Sequence, residues 1–357
     1  MEATNWKFYL KVEHAWKAMF DDCRQAVSSI DFEQFILIND EIGKKFFDLF
    51  FEKAKQGVKI RLLCDSAGSY SFYNSHLAKK LRQAGVEVNF FNHISPWRIK
   101  NITSWFFRDH KKILIIDSKI AYTGGVGIEK HMQHWRDTQV RITGPVVEEF
   151  KYVFNHMWEI VENGRFLKFK FASIFPGDFR FLTVSPHFRQ RFFYRKMINK
   201  IKSSKKYIYL TTPYFIPNQR FFINLLRAAR RGVDVRIIVP ERSDHPFVDS
   251  AGKSYFGLAL KAGIRIFLYR GQIMHAKTAV IDDSWASVGS ANLDNLSLLF
   301  NYEANLVSED NEFISEIKEH FVTDFLAAKE VTFEDWKNRS VFEKIIELIT
   351  WPFHTIL

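Results

Sequence analysis

Two stretches of this chain share one pattern: HKKILIID spans residues 110–117, and HAKTAVID spans residues 275–282. In each, a histidine comes first, a lysine follows two positions later and an aspartate closes the stretch. The runs are rich in Ile, Leu and Val, which predicts two buried β-strands. Because a strand sends alternate side chains to one face, we expect the histidine and lysine of each copy to point together. The repeated residues are His110, Lys112 and Asp117, and His275, Lys277 and Asp282.

The duplicated histidine–lysine pair suits chemistry on a phosphate ester. A neutral imidazole can attack phosphorus while a neighbouring ammonium holds a phosphate oxygen and the charge that builds on it. A second histidine can then protonate the leaving group. A lone histidine on an apolar strand is more often a core residue, and a lone lysine is more often solvated, but the duplicated pair favours catalysis. Such a site works without a metal ion or a cofactor, and we expect neither.

The repeat extends well beyond the two motifs. KAKQGVKIRLLCD around Gly57 resembles RAARRGVDVRIIVP around Gly232, and QAGVEVNFF around Gly85 resembles KAGIRIFLY around Gly263. Each segment is typical of a helix that ends at a glycine and is followed by a strand. This alternation predicts an α/β protein. We expect two similar subdomains, packed about a pseudo-two-fold axis, that bring both histidines to one shared cleft.

The predicted domain boundaries follow the repeat. They are residues 1–150 for the first subdomain, 151–195 for a connecting segment, 196–310 for the second subdomain and 311–357 for a C-terminal helical tail. One chain supplies both halves of the expected site, so no obligate protein partner is implied.

Small, polar and acidic residues downstream of the motifs are further candidates. Gly125, in TGGVG, lets the backbone approach a ligand, and Ser290 and Asn292, in the corresponding VGSAN, can donate hydrogen bonds to a phosphate. Farther on, Asp137 and Glu303 occupy equivalent places in the strand-like runs WRDTQVRI and FNYEANLV. A carboxylate there can orient a histidine and fix its tautomer. The alternatives are a turn of small residues for the first group and surface carboxylates at strand ends for the second.

These residues resemble the phospholipase D superfamily over nearly the whole chain. Beyond the two HxKxxxxD copies, the chain is most similar to bacterial cardiolipin synthases in TPYFIP at 212–217, RGVDVRIIVP, SDHP at 243–246 and GSANLD. The resemblance implies a metal-independent transfer through a phosphohistidine. One phospholipid gives its phosphatidyl group to a histidine, and the free glycerol hydroxyl of phosphatidylglycerol then takes it, which makes cardiolipin. The implied substrates are phosphatidylglycerol and, as another donor, phosphatidylethanolamine.

The resemblance also implies roles for the motif residues by position. His110 and His275 would be the nucleophile and the general acid, and Lys112 and Lys277 would bind the phosphate. Analogy with other members favours His110 as the nucleophile. The sequence alone leaves this choice open, because the two motifs are nearly symmetric.

Other positions follow from the same resemblance. Asp117 and Asp282 would support the fold and the site rather than touch phosphate. His245, in SDHP, is a candidate substrate contact because its loop follows a strand end. Gly127 departs from the family pattern, which often has Asn there, so the first half would lack a phosphate donor that Asn292 supplies in the second.

The charge balance favours anionic partners. Lys and Arg number 51 against 40 Asp and Glu, a net charge of +11, which suits lipid headgroups or nucleic acid. The segment SPWRIKNITSWFFR, just before the first motif, interleaves aromatic and basic residues as membrane-surface segments do. The chain has no apolar stretch of about 20 residues and no signal-peptide pattern at its N-terminus. We therefore expect a peripheral enzyme on the cytoplasmic face of the cell membrane.

The C-terminal segment has an apolar stripe at helical spacing that includes Phe342, Ile345 and Ile349. Two interpretations are open for it: a helix packed on the second subdomain, or a membrane-docking helix. Packing is favoured, because amphipathic helices in globular proteins usually cover a core.

Three other functions compete with phosphatidyl transfer. A phospholipase D with the same site would use water and make phosphatidic acid. A phosphodiesterase or nuclease would bind nucleic acid, with aromatic residues stacking on bases; the cardiolipin synthase resemblance makes this less favoured. A catalytically silent lipid-binding protein is disfavoured because both copies keep histidine and lysine.

Overall fold

The first half of the chain builds a seven-stranded mixed β-sheet. The structure, a computed structural model, describes residues 3–93, 107–164 and 177–350. The sheet has the strand order β1-β7-β6-β5-β2-β3-β4; β2, β3 and β4 are parallel and the other neighbours are antiparallel. The elements of this half are β1 (Asn5–Lys11), α1 (Val12–Gln25), β2 (Ser29–Gln34), α2 (Glu41–Lys55), β3 (Lys59–Asp65), α3 (Tyr70–Tyr73), α4 (Leu77–Gln83), β4 (Glu87–Phe91), β5 (Lys112–Ile116), β6 (Ile120–Gly124), β7 (Arg136–Thr143) and α5 (Val147–Asn163).

The second half repeats this plan in an eight-stranded sheet. Its order is β17-β12-β11-β9-β13-β14-β16-β8, which matches the first sheet strand for strand except for the added edge strand β17. The prediction of an α/β fold with two similar halves is confirmed. The elements are β8 (Phe179–Val184), α6 (Phe192–Ser203), β9 (Tyr207–Thr211), β10 (Phe215–Ile216), α7 (Gln219–Arg230), β11 (Asp234–Pro240), α8 (Pro246–Lys253), α9 (Phe256–Lys261), β12 (Arg265–Tyr269), β13 (Thr278–Ile281), β14 (Trp285–Gly289), β15 (Leu293–Asp294), β16 (Glu303–Ser308), α10 (Asn311–Leu326), β17 (Ala328–Val331), α11 (Phe333–Lys337) and α12 (Val341–Thr350).

Equivalent helices end at equivalent glycines. Gly57, between α2 and β3, has φ +86°, and Gly232, between α7 and β11, has φ +90°. Only glycine takes this left-handed conformation at little cost, and it stops a helix so that the chain can turn back into the sheet. The predicted order of helix, glycine and strand is therefore confirmed at both places.

A shared apolar core joins the two halves. Ile113 and Val140 of the first sheet lie in one buried cluster with Val280 and Val288 of the second. All five residues of β5 are buried, as expected for a strand covered on both faces. The motif strands are therefore held at the junction of the halves.

Two isolated bridges cross this junction reciprocally. Asp109, just before the first motif, pairs with Tyr302, and Met274, just before the second motif, pairs with Arg136. Each motif thus begins beside the first residues of a strand in the other half. A pseudo-two-fold relation requires this reciprocity, and it brings the residues after Tyr302 and Arg136 next to the two histidines.

The predicted domain boundaries remain predictions, but two strands fall where none was expected. The connecting segment 151–195 contains β8, which pairs with β16, and the C-terminal tail, expected to be helical, contains β17, which pairs with β12. A four-residue edge strand such as β17 is too short to show a period in the sequence.

Two expectations concern the membrane: the aromatic and basic segment before the first motif, and the helices. The aromatic and basic segment SPWRIKNITSWFFR lies, except for its last two residues, outside the described residues. Across residues 3–93, 107–164 and 177–350, none of the helices has the length and apolarity needed to cross a bilayer.

Candidate active site

Both motif histidines are buried at the junction of the halves. The backbone N–H of His110 donates to the carbonyl of Tyr302 at 2.9 Å, and the backbone N–H of His275 donates to the carbonyl of Arg136 at 2.7 Å. Each histidine is therefore fixed by the strand that begins in the opposite half.

The two histidines are paired with carboxylates in a crossed arrangement. His110 Nδ1 lies 3.0 Å from Glu303 Oε2, and His275 Nδ1 lies 2.8 Å from Asp137 Oδ2. A carboxylate at Nδ1 holds the proton of a neutral imidazole there, which leaves the lone pair on Nε2. Each half thus supplies the carboxylate that orients the histidine of the other, so neither half holds a complete set by itself.

The motif lysines occupy equivalent buried places. Lys112 Nζ donates to the carbonyl of His110 at 3.0 Å, and Lys277 Nζ donates to the carbonyl of His275. Burial lowers the pKa of Lys112 to about 8, although Glu303 and Asp137 oppose the shift. Burial also lowers the pKa of Lys277 to about 7, opposed by Asp137 and reinforced by the Lys112 ammonium. Two buried ammonium groups that repel each other are well suited to bind an anion.

The histidines favour the neutral form. Burial lowers the pKa of His110 below its ordinary value, against the opposing effect of Glu303. Burial, followed by the Lys277 ammonium, lowers the pKa of His275 to about 4. At neutral pH both imidazoles in the unliganded protein are therefore uncharged, which is the form a nucleophile needs.

Aromatic rings provide part of this burial. The ring of Phe35 lies 4.7 Å from that of His110, and the ring of Trp135 lies 5.4 Å from that of His275, both edge to face. Neither residue was among the predicted site residues. Trp135 is the first residue of the WRDTQVRI run that carries Asp137, whereas nothing in the sequence around Phe35 indicates its contact.

The motif aspartates lie away from the histidines and hold the backbone. The Asp117 carboxylate accepts hydrogen bonds from the backbone N–H groups of Val27, Ser28 and Ser29, at the start of β2. The Asp282 carboxylate accepts equivalent bonds from the N–H groups that lead into β9. Both aspartates therefore fix the end of a motif strand to the neighbouring strand.

The small residues after the motifs have different surroundings. A Cβ on Gly125 would lie 2.2 Å from Asp137 Oδ1, so any side chain there would displace the carboxylate that pairs with His275. Ser290, at the equivalent position, donates its hydroxyl hydrogen to Glu303, the carboxylate that pairs with His110. Gly127 accepts a hydrogen bond from the indole of Trp16 through its carbonyl, at 2.8 Å.

Asn292 and His245 differ in how close they come to the chemistry. The buried Asn292 side chain bonds Asp294, and within the described chain its Oδ1 has no hydrogen-bond partner. His245 is 62 % exposed at its side chain and reaches the site through Tyr214, whose ring lies 5.8 Å from His245 and 6.5 Å from His275. The structure therefore places His245 at the rim of the site and buries Asn292 beside Asp294.

Tyr214 and Asp244 are site residues that the sequence analysis missed. The Tyr214 hydroxyl donates to Asp244, and Asp244 in turn favours the charged form of His275. Both lie in quoted stretches, TPYFIP and SDHP, but neither stretch shows that they meet. Among the described residues, no group of three or more His, Cys, Asp or Glu side chains has the arrangement to hold a metal ion.

A duplicated α/β fold whose two histidine–lysine strands meet in one buried, cation-lined site defines the phospholipase D class of phosphodiester-transfer enzymes. The chain belongs to the family described as cardiolipin synthase, PLD-like domain, whose model matches residues 19–158 and 197–325. The prediction of a phospholipase D-superfamily enzyme is thereby confirmed.

Named relatives agree with this assignment. A cardiolipin synthase of Clostridium perfringens (strain 13 / Type A) is 33% identical over 96% of this chain and 75% of its own length. A cardiolipin synthase of Staphylococcus aureus (strain Mu50) is 32% identical over 98% of this chain and 73% of its own. Among solved structures, the phosphatidylserine synthase of Haemophilus influenzae Rd KW20 superposes with a TM-score of 0.73 at 13% identity, covering 98% of this chain and 93% of that one. The last likeness concerns the fold.

Proposed function

We propose that this enzyme transfers a phosphatidyl group from one phospholipid to phosphatidylglycerol and so makes cardiolipin. The observation that carries the proposal is the crossed arrangement, in which two neutral histidines and two lysines share one buried site and each histidine is oriented by the other half. The named relatives supply the lipid substrate class. Phosphatidylglycerol is the expected donor, and phosphatidylethanolamine is an alternative donor.

In the first step, Nε2 of neutral His110 attacks phosphorus of the donor lipid. The bond from phosphorus to the headgroup oxygen breaks, and the oxygen leaves with its electron pair and a proton from His275. Lys112 and Lys277 hold the non-bridging oxygens, where negative charge increases in the transition state. Glu303 stabilises the positive charge that develops on the His110 ring, because its carboxylate lies at Nδ1.

In the second step, His275 acts as a base. Neutral after giving up its proton, it takes the hydrogen of the glycerol hydroxyl of phosphatidylglycerol while that oxygen attacks phosphorus. The phosphorus–nitrogen bond to His110 breaks and its electrons return to the ring. The nucleophile is restored, and the net result is exchange of one alcohol on phosphorus for another.

Protonation of His275 depends on the bound anion. In the unliganded site, burial and Lys277 keep the pKa of His275 near 4, so few molecules carry the proton that the first step needs. A phosphodiester anion between the lysines offsets their charge and raises this pKa. Substrate binding therefore prepares the general acid, and a vacant site keeps both histidines neutral.

The choice of His110 as nucleophile comes from analogy with the superfamily. The geometry is compatible with it, because the Glu303 carboxylate that faces His110 is further fixed by the Ser290 hydroxyl. We also propose that the enzyme works peripherally at the cytoplasmic face of the membrane, where both lipid substrates are available.

Lipid products distinguish this function from its alternatives. The purified protein is incubated with vesicles of phosphatidylglycerol, alone and mixed with phosphatidylethanolamine, and all lipids are identified by mass spectrometry; the His110→Ala variant is the control. Cardiolipin with released glycerol or ethanolamine supports the proposal. Phosphatidic acid alone means that water is the acceptor. If no lipid product forms and a separate incubation cleaves a single-stranded oligonucleotide, the enzyme is a nuclease. Either result overturns it.

A further inference from the structure

Helix α12 carries its apolar stripe on the outside of the protein. Phe342, Ile345 and Ile349 recur at intervals of three and four residues and are 71%, 49% and 62% exposed. An amphipathic helix of a globular domain normally turns such a stripe toward the core. Helix α12 does contact α8 of the second subdomain, as expected, but Phe342, Ile345 and Ile349 lie on its exposed side.

The helix is specified by its own sequence and is anchored at its start. Ser340 and Glu343 form a reciprocal cap: the Ser340 hydroxyl accepts from the N–H of Glu343, and the Glu343 carboxylate accepts from the N–H of Ser340. This pattern is a strong helix start signal. Just before it, the ring of Trp336 packs 5.3 Å from that of buried Phe256. The outward stripe is thus held in a defined place.

One helix, α8, connects that place to the rim of the active site. Helix α8, the neighbour of α12, begins at Pro246, directly after Asp244 and His245. Asp244 accepts the hydrogen bond of Tyr214, whose ring lies 6.5 Å from that of His275. The outer surface of α12 and α8, which we call the docking face, therefore continues into the rim of the site.

We propose that the docking face inserts into the interfacial layer of an anionic phospholipid bilayer and presents the active-site cleft to lipid. This inference rests on the proposed function, since it takes the substrate to reside in a bilayer. The occupant follows from two properties. An outward stripe of Phe and Ile is suited to the boundary between headgroups and acyl chains, and a chain with net charge +11 is attracted to an anionic surface.

The two properties are expected to act separately. The exposed charges of α12 itself include both Glu343 and Lys344, so the helix contributes apolar insertion. The attraction over longer distance comes from the rest of the chain. Added salt should therefore weaken the first association with the vesicle more than it weakens the insertion of α12.

A matched pair of variants tests the docking face. Phe342→Ser/Ile349→Ser removes both ends of the stripe. The control Leu326→Ser removes an exposed apolar side chain, 78% exposed, from α10, which packs on the other face of the second sheet. We expect the double variant to lose about tenfold or more of its binding to phosphatidylglycerol vesicles in sedimentation. The Leu326→Ser control should bind as the unmodified protein does.

Short-chain phosphatidylglycerol below its micelle concentration separates docking from catalysis. On this soluble substrate, both variants should keep the turnover of the unmodified protein within about twofold, because the site is untouched. Unchanged turnover also shows that the double variant is folded. If the unmodified protein forms no phosphatidyl-transfer product from either substrate yet binds vesicles through α12, the proposed function fails while the docking face stands.

Spin labels on the helix measure insertion directly and do not depend on a variant that loses vesicle binding. The native Cys23 and Cys64 are buried, so a nitroxide can be attached selectively to Ile349→Cys or to Leu326→Cys. With phosphatidylglycerol vesicles, the label at 349 should become accessible to oxygen and protected from a water-soluble relaxant, and the label at 326 should not. Vesicle binding that is unchanged in the double variant, or a stripe that mediates self-association without vesicles, overturns the proposal.

Discussion

The two halves of this molecule have the same scaffold but different surroundings for their histidines. Strand order, motif residues and the crossed hydrogen bonds to the histidines repeat from one half to the other. The side chains packed around them do not. The differing pairs are Lys111 and Ala276, Gly125 and Ser290, Gly127 and Asn292, and Asp137 and Glu303. A symmetric scaffold thus brings two equal sets of reactive groups together, and asymmetric neighbours allow the two histidines to do different work.

Lys111 shows how far the difference extends. It lies buried between Glu33 and Asp109, both within ion-pair distance, whereas the equivalent Ala276 carries no charge. Burial and the Asp109 carboxylate raise the pKa of Glu33, and Lys111 opposes that shift. Lys111, beside His110, therefore belongs to a buried ion network, which the uncharged Ala276 beside His275 cannot form.

Removing either histidine should have the largest effect. His110→Ala and His275→Ala should each lower kcat by roughly 10³- to 10⁵-fold, because each step of the proposed mechanism needs both groups. The measurement is cardiolipin formation from phosphatidylglycerol vesicles, with circular dichroism as the control for folding. Near-native activity in either variant would show that the halves are not equal partners in one site.

Changing the crossed carboxylates should have the next largest effect and should separate the halves. Glu303→Gln and Asp137→Asn should each lower kcat by about 10²- to 10⁴-fold, since an amide no longer fixes the proton on Nδ1. With a donor whose leaving group needs no protonation, Asp137→Asn should form the covalent intermediate at nearly the original rate, and Glu303→Gln should not. If both variants formed the covalent intermediate equally slowly from this donor, the assignment of different roles to His110 and His275 would be contradicted.

The pH dependence follows from groups in both halves. The value of kcat/KM should fall as pH drops through the lowered pKa of His110, because the nucleophile gains a proton. It should also fall as pH rises above about 7, because Lys277 loses the charge that holds phosphate. Lys277→Arg, whose guanidinium stays charged, should move the alkaline limb upward. If the alkaline limb does not move in this variant, the loss of kcat/KM at high pH belongs to a group other than Lys277.

Exchanging the residues after the motifs tests the asymmetry directly. Ser290→Gly removes one hydrogen bond to Glu303 and should lower kcat about five- to thirtyfold. Gly125→Ser should be far more harmful than a single lost bond, because its Cβ would lie 2.2 Å from Asp137 Oδ1. Steady-state kinetics of the two variants measure these effects. If Gly125→Ser leaves kcat unchanged, the space beside Asp137 accommodates a serine as the space beside Glu303 does.

The motif aspartates should matter for stability more than for chemistry. Asp117→Asn and Asp282→Asn keep a residue that tolerates their positive φ but weaken hydrogen bonds to several backbone N–H groups. Each should lower the free energy of unfolding by about 1–3 kcal/mol in urea titrations and leave kcat of the folded fraction nearly unchanged. A large loss of kcat without loss of stability would move these residues into the chemistry.

The features that could be predicted from the sequence are those that occur in both of its halves. The period-two spacing of His110 and Lys112, the glycine stops at Gly57 and Gly232 and the matched segments around them predicted two α/β halves. The site's reactive groups followed from the same repeat. Patterns of this kind involve residues that are close together in the chain, so the sequence itself shows them.

What the sequence could not predict depends on contacts between distant segments. Glu303 and Asp137 were candidates to orient a histidine, but only the packing of the halves shows that each faces the histidine of the other. Tyr214 and Asp244 meet for the same reason. The surroundings of the α12 stripe stayed open between two interpretations, because the periodicity of a helix shows which face is apolar and not what covers it.

The most direct test of the account is to trap the covalent intermediate and find which histidine carries it. The His275→Ala and His110→Ala variants react with a phosphatidyl ester whose leaving group needs no protonation, are quenched under conditions that preserve phosphohistidine, and are mapped by mass spectrometry. We expect a phosphatidyl adduct on His110 in the His275→Ala variant and no adduct in His110→Ala. An adduct on His275 would reverse the roles of the halves, and turnover without any adduct on either histidine would contradict the covalent mechanism.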